Sequence, residues 1–277
     1  MQEHGTAPPA WSREPRPDLW QLWSRPRMLA FGFFLLATYL LVQSVIYVAA
    51  GGTFLGVVAG AALGVALPAG LVSLQIGAGP GRDFQLVLPG TGRLAASALV
   101  AVSALVPVSM LAGYSERIRP VDEEWVRHLL AQLPTTTGET VLAFVAVTLA
   151  APLAEELIFR GILYRLARGL WGPLPAAALS ALAFGLIHFE PWYFFGLVGV
   201  GLVFAFVYES THSLLAAWLA HGVHNACSLG LILADRESLG GGAGILGLHD
   251  LEALALSVMG LVVGGVYLWS RRAAWSR

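Results

Sequence analysis

Apolar runs of about twenty residues, each closed by a short polar stretch, recur along this chain. They fall at about 29–50, 54–76, 94–113, 140–167, 174–188, 192–209, 213–233 and 251–270. A run of about 18 residues is long enough to cross a bilayer as a helix, in which every backbone N–H and C=O is closed inside the element. The pattern predicts an all-α, polytopic membrane protein of about eight transmembrane helices. The fifth and sixth runs are short and separated only by Phe189, Glu190 and Pro191. They also read as a helical hairpin that stops short of a full crossing.

The polar flanks divide the chain into a surface arm over residues 1–28, a membrane domain over 29–270 and a tail over 271–277. The arm interleaves Pro8, Pro9, Pro15, Pro17 and Pro26 with Arg13, Arg16, Arg25, Arg27, Trp11, Trp20 and Trp23. Proline opposes a long helix, and Trp with Arg suits a partly disordered segment at the membrane interface. The apolar run that follows is too long for the core of a signal peptide. In the second run Gly56, Gly60 and Gly64 recur every four residues, the small-residue spacing of closely approaching helix backbones. The polar loop 114–139 has room for a short surface helix near Trp125. Gly242, Gly244 and Gly247 match a dinucleotide-binding spacing, but no strand precedes them, so the stretch reads as a flexible connector.

Composition agrees with the pattern. Of 277 residues, 57% are hydrophobic and only 12% charged, against roughly 25% charged in a soluble domain. The net charge of −1 offers no basic field for nucleic acid. All 16 basic residues are Arg. With eight crossings, Arg13, Arg16, Arg25, Arg27, Arg82, Arg93, Arg165, Arg168, Arg271, Arg272 and Arg277 share the side of both termini. Arg117, Arg119, Arg127 and Arg236 lie on the other. The positive-inside rule then places both termini in the cytoplasm. A lone cysteine, Cys227, excludes an intrachain disulfide and a cysteine-rich metal site.

Against this background the charges inside the fourth run stand out. Glu155, Glu156 and Arg160 occupy a stretch otherwise apolar enough to cross a bilayer, where each charged side chain costs about 2.5–3.5 kcal/mol on insertion scales. Glu156 and Arg160 are four apart, one helical turn, with the acid first, the favourable order for an ion pair. Glu155 is turned roughly 100° away and is free to face a cavity. Two later runs carry polar groups at depth: His188 at the end of the fifth, and His221, His224 and Asn225 in the seventh. His221 and Asn225 share a face, with His224 as a competing candidate. Each alone reads as helix glue or a structural ion pair. Together, Glu155, His188, His221 and Asn225 supply an acid/base pair and hydrogen-bond donors.

Such a set suits hydrolysis. A carboxylate beside a histidine activates water, while a second histidine and an amide stabilise an oxyanion. The alternative chemistry is a zinc-activated water, held by His188, His221 and Glu155 or Glu156. The H-E-x-x-H signature is absent, so no metal is dictated.

At three motifs the sequence resembles the CAAX protease and bacteriocin-processing family (CPBP, Abi) of intramembrane proteases, relatives of the type II CAAX prenyl endopeptidase. They are Glu155-Glu156-x-x-x-Arg160, Phe184-x-x-x-His188 and His221-x-x-x-Asn225, in the family's order, within a core at about 140–233. The resemblance implies an eight-helix intramembrane endopeptidase with its site open toward the cytoplasm. It implies Glu155 as the water-activating base assisted by His188, His221 and Asn225 polarising the scissile carbonyl, and Glu156 with Arg160 in support. The family is usually labelled metalloprotease, and a metal-free glutamate mechanism is also argued for it. The composition looks bacterial, which makes the expected setting a bacterial cell membrane and the expected partner a peptide or membrane-protein substrate. The rival readings are a non-catalytic peptide-binding or bacteriocin-immunity scaffold and, further off, a transporter. A shared site requires that the fifth run tilt or stop short, so that His188 comes within direct or water-bridged reach of Glu155.

Overall fold

The computed structural model describes residues 16–51, 53–234 and 251–272. Arg13, Arg236, Arg277 and the Gly-rich connector lie outside them. The described residues are all-helical. A single turn, α1 (Leu19–Leu22), precedes α2 (Arg25–Ala50) and α3 (Thr53–Ile76). Next come α4 (Thr91–Ser103), α5 (Leu105–Ile118), the surface helix α6 (Glu123–Gln132) and the long α7 (Thr137–Trp171). The chain continues through α8 (Pro173–Leu186), α9 (Phe194–Thr211), α10 (Leu214–Ala234) and α11 (Leu251–Ser270).

Six helical segments are long and apolar enough to cross a membrane: α2, α3, α4 with α5, α7, Pro191–Thr211 and α11. The other two apolar runs form α8, with 14 residues, and α10, with 21. The outward faces are greasy throughout: Val48 is 83% exposed and Leu174 82%. That is the surface of an integral membrane protein, since no soluble domain leaves so much apolar area in water.

Two features depart from the sequence reading. The third run is not one straight helix but breaks at Ala104, between α4 and α5. Pro107 explains the break, because its ring clashes with the carbonyl four residues back and it offers no N–H. The N-terminal arm is partly anchored. Leu19 is fully buried and donates its N–H to Asp83 Oδ1 (2.9 Å), and Trp20 Nε1 donates to the Asp83 carbonyl (2.9 Å).

Where helices approach closely, glycine makes the room. A Cβ at Gly56 would sit 2.7 Å from the Gln43 carbonyl oxygen, and one at Gly64 would sit 2.7 Å from Tyr39 N. Those glycines let α3 lie backbone to backbone on α2, as their spacing suggests.

α7 carries two wide π turns, Val145–Ala150 and Phe159–Tyr164, on either side of the acidic pair. Such turns bond to the fifth residue back, and Ala151 N–H does donate to the Ala146 carbonyl. The next residue, Pro152, has no N–H to give. The Val147 carbonyl is thereby left for a side chain, and Asn225 Nδ2 of α10 fills it at 2.9 Å. Two residues on from that carbonyl, Trp218 Nε1 donates to the Leu149 carbonyl (2.8 Å). On the far side of the acids, Ser180 Oγ of α8 donates to the Phe159 carbonyl (3.0 Å). The carbonyls turned out of α7 thus dock the two helices that carry the histidines.

Candidate active site

The charged groups of α7 divide as their spacing predicts. Glu156 and Arg160 are fully buried and paired, with Arg160 Nη1 donating to Glu156 Oε1 at 2.9 Å. Arg160 Nη2 also donates to the Gly201 carbonyl of α9 at 2.7 Å. The guanidinium lies over the rings of Phe184 (5.1 Å) and Phe204 (5.5 Å). Glu155 points another way, into a cavity of about 400 Å³.

His221 joins the two acids. Its Nδ1–H donates to Glu156 Oε1 (2.9 Å), and its Nε2 stands 3.6 Å from Glu155 Oε2. Phe204 stacks on the imidazole at 4.3 Å and Phe184 meets it edge-on at 5.6 Å. The ring is therefore fixed in plane and in tautomer. Glu156 does more than neutralise Arg160, since it also orients the histidine that faces its neighbour.

His188 reaches the same cavity because α8 is short. Fourteen residues rise about 21 Å, against about 30 Å of hydrocarbon. The helix stops at depth, and Phe189 turns the chain back with a left-handed φ of 54°. His188 Nδ1–H donates to the Phe184 carbonyl (2.7 Å), which leaves Nε2 as an acceptor. Asn225 lines the cavity as well. One amide hydrogen is engaged with Val147, and the second remains for a ligand.

The cavity thus gathers Glu155, His188, His221 and Asn225, while Glu156 and Arg160 lie behind its wall. It also contains groups that sequence spacing did not single out: Ser109 and Glu116 from α5, Trp125 from α6, and Glu190 and Tyr193 from the turn before α9. Burial pushes the Glu190 carboxyl above the usual carboxylate range, with His188 pulling the other way. Trp125 packs against Trp192 (5.3 Å) and Tyr193 (5.7 Å) and so joins the surface helix to that turn. The loops bring these residues together, and no periodicity marks them. Glu209, unassigned from the sequence, is bound on the opposite face by Arg168 (2.7 and 2.9 Å) and Tyr164 (2.8 Å).

Among the described residues no three His, Cys, Asp or Glu side chains are placed to hold a metal ion. His221 Nδ1 is engaged with Glu156, which leaves its Nε2 toward Glu155, and the Glu156 oxygen is shared with Arg160, whose positive charge opposes a cation at Glu156 itself. The cavity also bears on sidedness. The cavity runs from His221 toward Glu116 and Trp125, at the end of α5 and on α6. The end of α11 lies by the start of α4, where Arg93 donates to the Arg271 carbonyl, and the segment before α2 is tied to Asp83, just ahead of α4. The outer part of the cavity lining and the end of α11 thus lie toward opposite ends of the helix bundle.

Gly222, between the two histidines, packs against α7. A Cβ there would fall well inside van der Waals contact with the Thr148 carbonyl oxygen, a backbone atom that has little freedom to move. Gly222→Ala is expected to push α10 off the π turn and displace His221. The thermal midpoint in detergent should drop, and any hydrolysis that depends on His221 should fall at least tenfold. A fully active, equally stable variant would show that this contact does not set the position of His221.

Comparison with known proteins adds one match. Residues 137–227 fit the family model described as Type II CAAX prenyl endopeptidase Rce1-like. The fit starts with α7, ends two residues beyond Asn225, and bears out the resemblance carried by the three motifs. No curated protein and no solved structure matches the chain.

Proposed function

We propose that this chain, Rce1-like over residues 137–227, is an intramembrane endopeptidase that uses Glu155 to activate water. The observation that carries the reading is the contact of His221 with both acids, 2.9 Å from Glu156 and 3.6 Å from Glu155, at the floor of a cavity. The buried set holds two carboxylates and one guanidinium, so one shared proton makes it neutral. That proton resides on His221 or on Glu155, and moving it between them creates no net charge at membrane depth, where charge is expensive.

In the reactive state Glu155 is ionised and His221 is an imidazolium. A water donates one hydrogen to Glu155 and the other to His188 Nε2. Glu155 takes the proton as the water oxygen bonds to the scissile carbonyl carbon. The oxyanion accepts from His221 Nε2–H and from the second amide hydrogen of Asn225. Collapse breaks the C–N bond, and Glu155 returns the proton to the leaving amine. No metal enters these steps.

The substrate class is a peptide or a segment of a membrane protein presented to the cavity from the face bearing Glu116 and Trp125. By the arginine asymmetry the chain ends are cytoplasmic and that face is the outer one. The setting is a bacterial cell membrane.

The test is purified protein in nanodiscs with a peptide library, with and without chelator, read by mass spectrometry. Cleavage that persists in chelator is expected. Loss of all cleavage in chelator, restored by added zinc, would overturn the metal-free mechanism and leave the endopeptidase activity standing.

A further inference from the structure

His224 belongs to none of the three motifs, yet it shares the cavity face of α10 with His221, Asn225 and Ser228. It is only 7% exposed. Its Nδ1 lies 3.1 Å from the Ala101 carbonyl of α4. A carbonyl only accepts, so Nδ1 carries the hydrogen and Nε2 presents a lone pair. No hydrogen bond from Nε2 to a described residue is present, and the ring lines the cavity. A residue that merely tied α10 to α4 would need the first bond alone. Here the first bond fixes the tautomer and the second nitrogen faces the space a substrate fills.

A peptide entering this cavity loses water from its amide groups and requires acceptors for N–H as well as donors for C=O. Most of the wall is apolar: Leu105, Val108, Ala112, Leu197 and Val200 offer neither. In the proposed mechanism Glu155 and His188 hold the attacking water, while His221 and Asn225 face the carbonyl oxygen. His224 Nε2 is the remaining histidine acceptor. We propose that His224 binds substrate, its Nε2 accepting one backbone N–H of the peptide near the cleaved bond. The inference rests on the endopeptidase reading above. It adds a positioned acceptor that sets how the chain lies across the floor.

The experiment takes a peptide selected for binding to the protein and replaces each backbone amide in turn by an ester, which removes one N–H at a time. The series is assayed with wild type and with His224→Phe, which keeps a ring and loses the acceptor. His224→Phe should lower kcat/KM about tenfold, mostly through KM, the loss expected for one hydrogen bond between neutral groups. One ester position should cost wild type the same factor and cost His224→Phe nothing further. Equal ester penalties in both proteins at every position, or an unchanged KM in the variant, would overturn the proposal. If His224→Phe fails to fold, His224→Met carries the same two readings. Binding of the same series to Glu155→Gln protein separates the two levels of the argument. If wild type binds but cleaves nothing while the ester coupling persists, the hydrolase reading fails and the role of His224 stands.

Discussion

Glu155→Gln is expected to abolish cleavage, with a loss of about a thousandfold or more, the scale of a removed general base. The amide keeps the shape and the hydrogen-bonding reach of the carboxylate, so the cavity should keep its volume and the protein its fold. What is lost is the site that takes a proton from water. Because Glu155 and His221 share one proton, His221→Gln should be nearly as inactive, and the double variant should be little worse than either single one. Cleavage kinetics on matched detergent preparations check this. Turnover within tenfold of wild type in Glu155→Gln would defeat the assignment.

The second large effect concerns stability. Arg160 is fully buried, bonded to Glu156 and to the Gly201 carbonyl, and covered by two aromatic rings. Arg160→Met leaves the Glu156 carboxylate in the core without its counter-charge. Removing one partner of a buried pair costs about 3–5 kcal/mol. That is enough to lower the thermal midpoint sharply or prevent accumulation of folded protein. The double variant Arg160→Met with Glu156→Gln should recover much of the stability, because no unpaired charge remains, and should stay impaired in cleavage because His221 has lost the carboxylate charge that favours its imidazolium. A single Arg160→Met variant as stable as wild type would mean that the pair is not the structural support of the site.

These two effects arise from neighbouring residues, and the reason was visible in the chain. Spacing alone separated Glu155 from the Glu156–Arg160 pair, since one residue is about 100° of helix and four residues are one turn. The apolar runs located the helices within a few residues, because lipid demands uninterrupted apolar length. The brevity of the fifth run, with Glu190 and Pro191 just beyond it, pointed to a helix that stops at depth.

Other parts of the site were not legible, for physical reasons. A π turn leaves no hydrophobic period of its own, so the docking of Asn225 and Trp218 on α7 carbonyls was hidden. Pro152 was the available signal, being unable to bond the carbonyl that Asn225 takes. The contact of His221 with Glu156 depends on how two distant helices face each other, which local pattern does not encode. Glu116, Trp125, Glu190 and Tyr193 come from a helix end, a surface helix and a turn, where no repeat constrains position. The sidedness of the cavity needed the actual path of α5 and α6. That path set the positive-inside reading against the cytoplasmic opening implied by the resemblance.

The central claim is that Glu155, His188 and His221 surround one reacting water inside the bilayer. Its most direct measurement is hydrolysis of a peptide library in ¹⁸O-labelled water by purified wild-type protein in nanodiscs, beside Glu155→Gln. The account predicts new peptide C-termini carrying solvent ¹⁸O with wild type and none with the variant. Peptides recovered bound but intact from both proteins, or labelled equally by both, would contradict it.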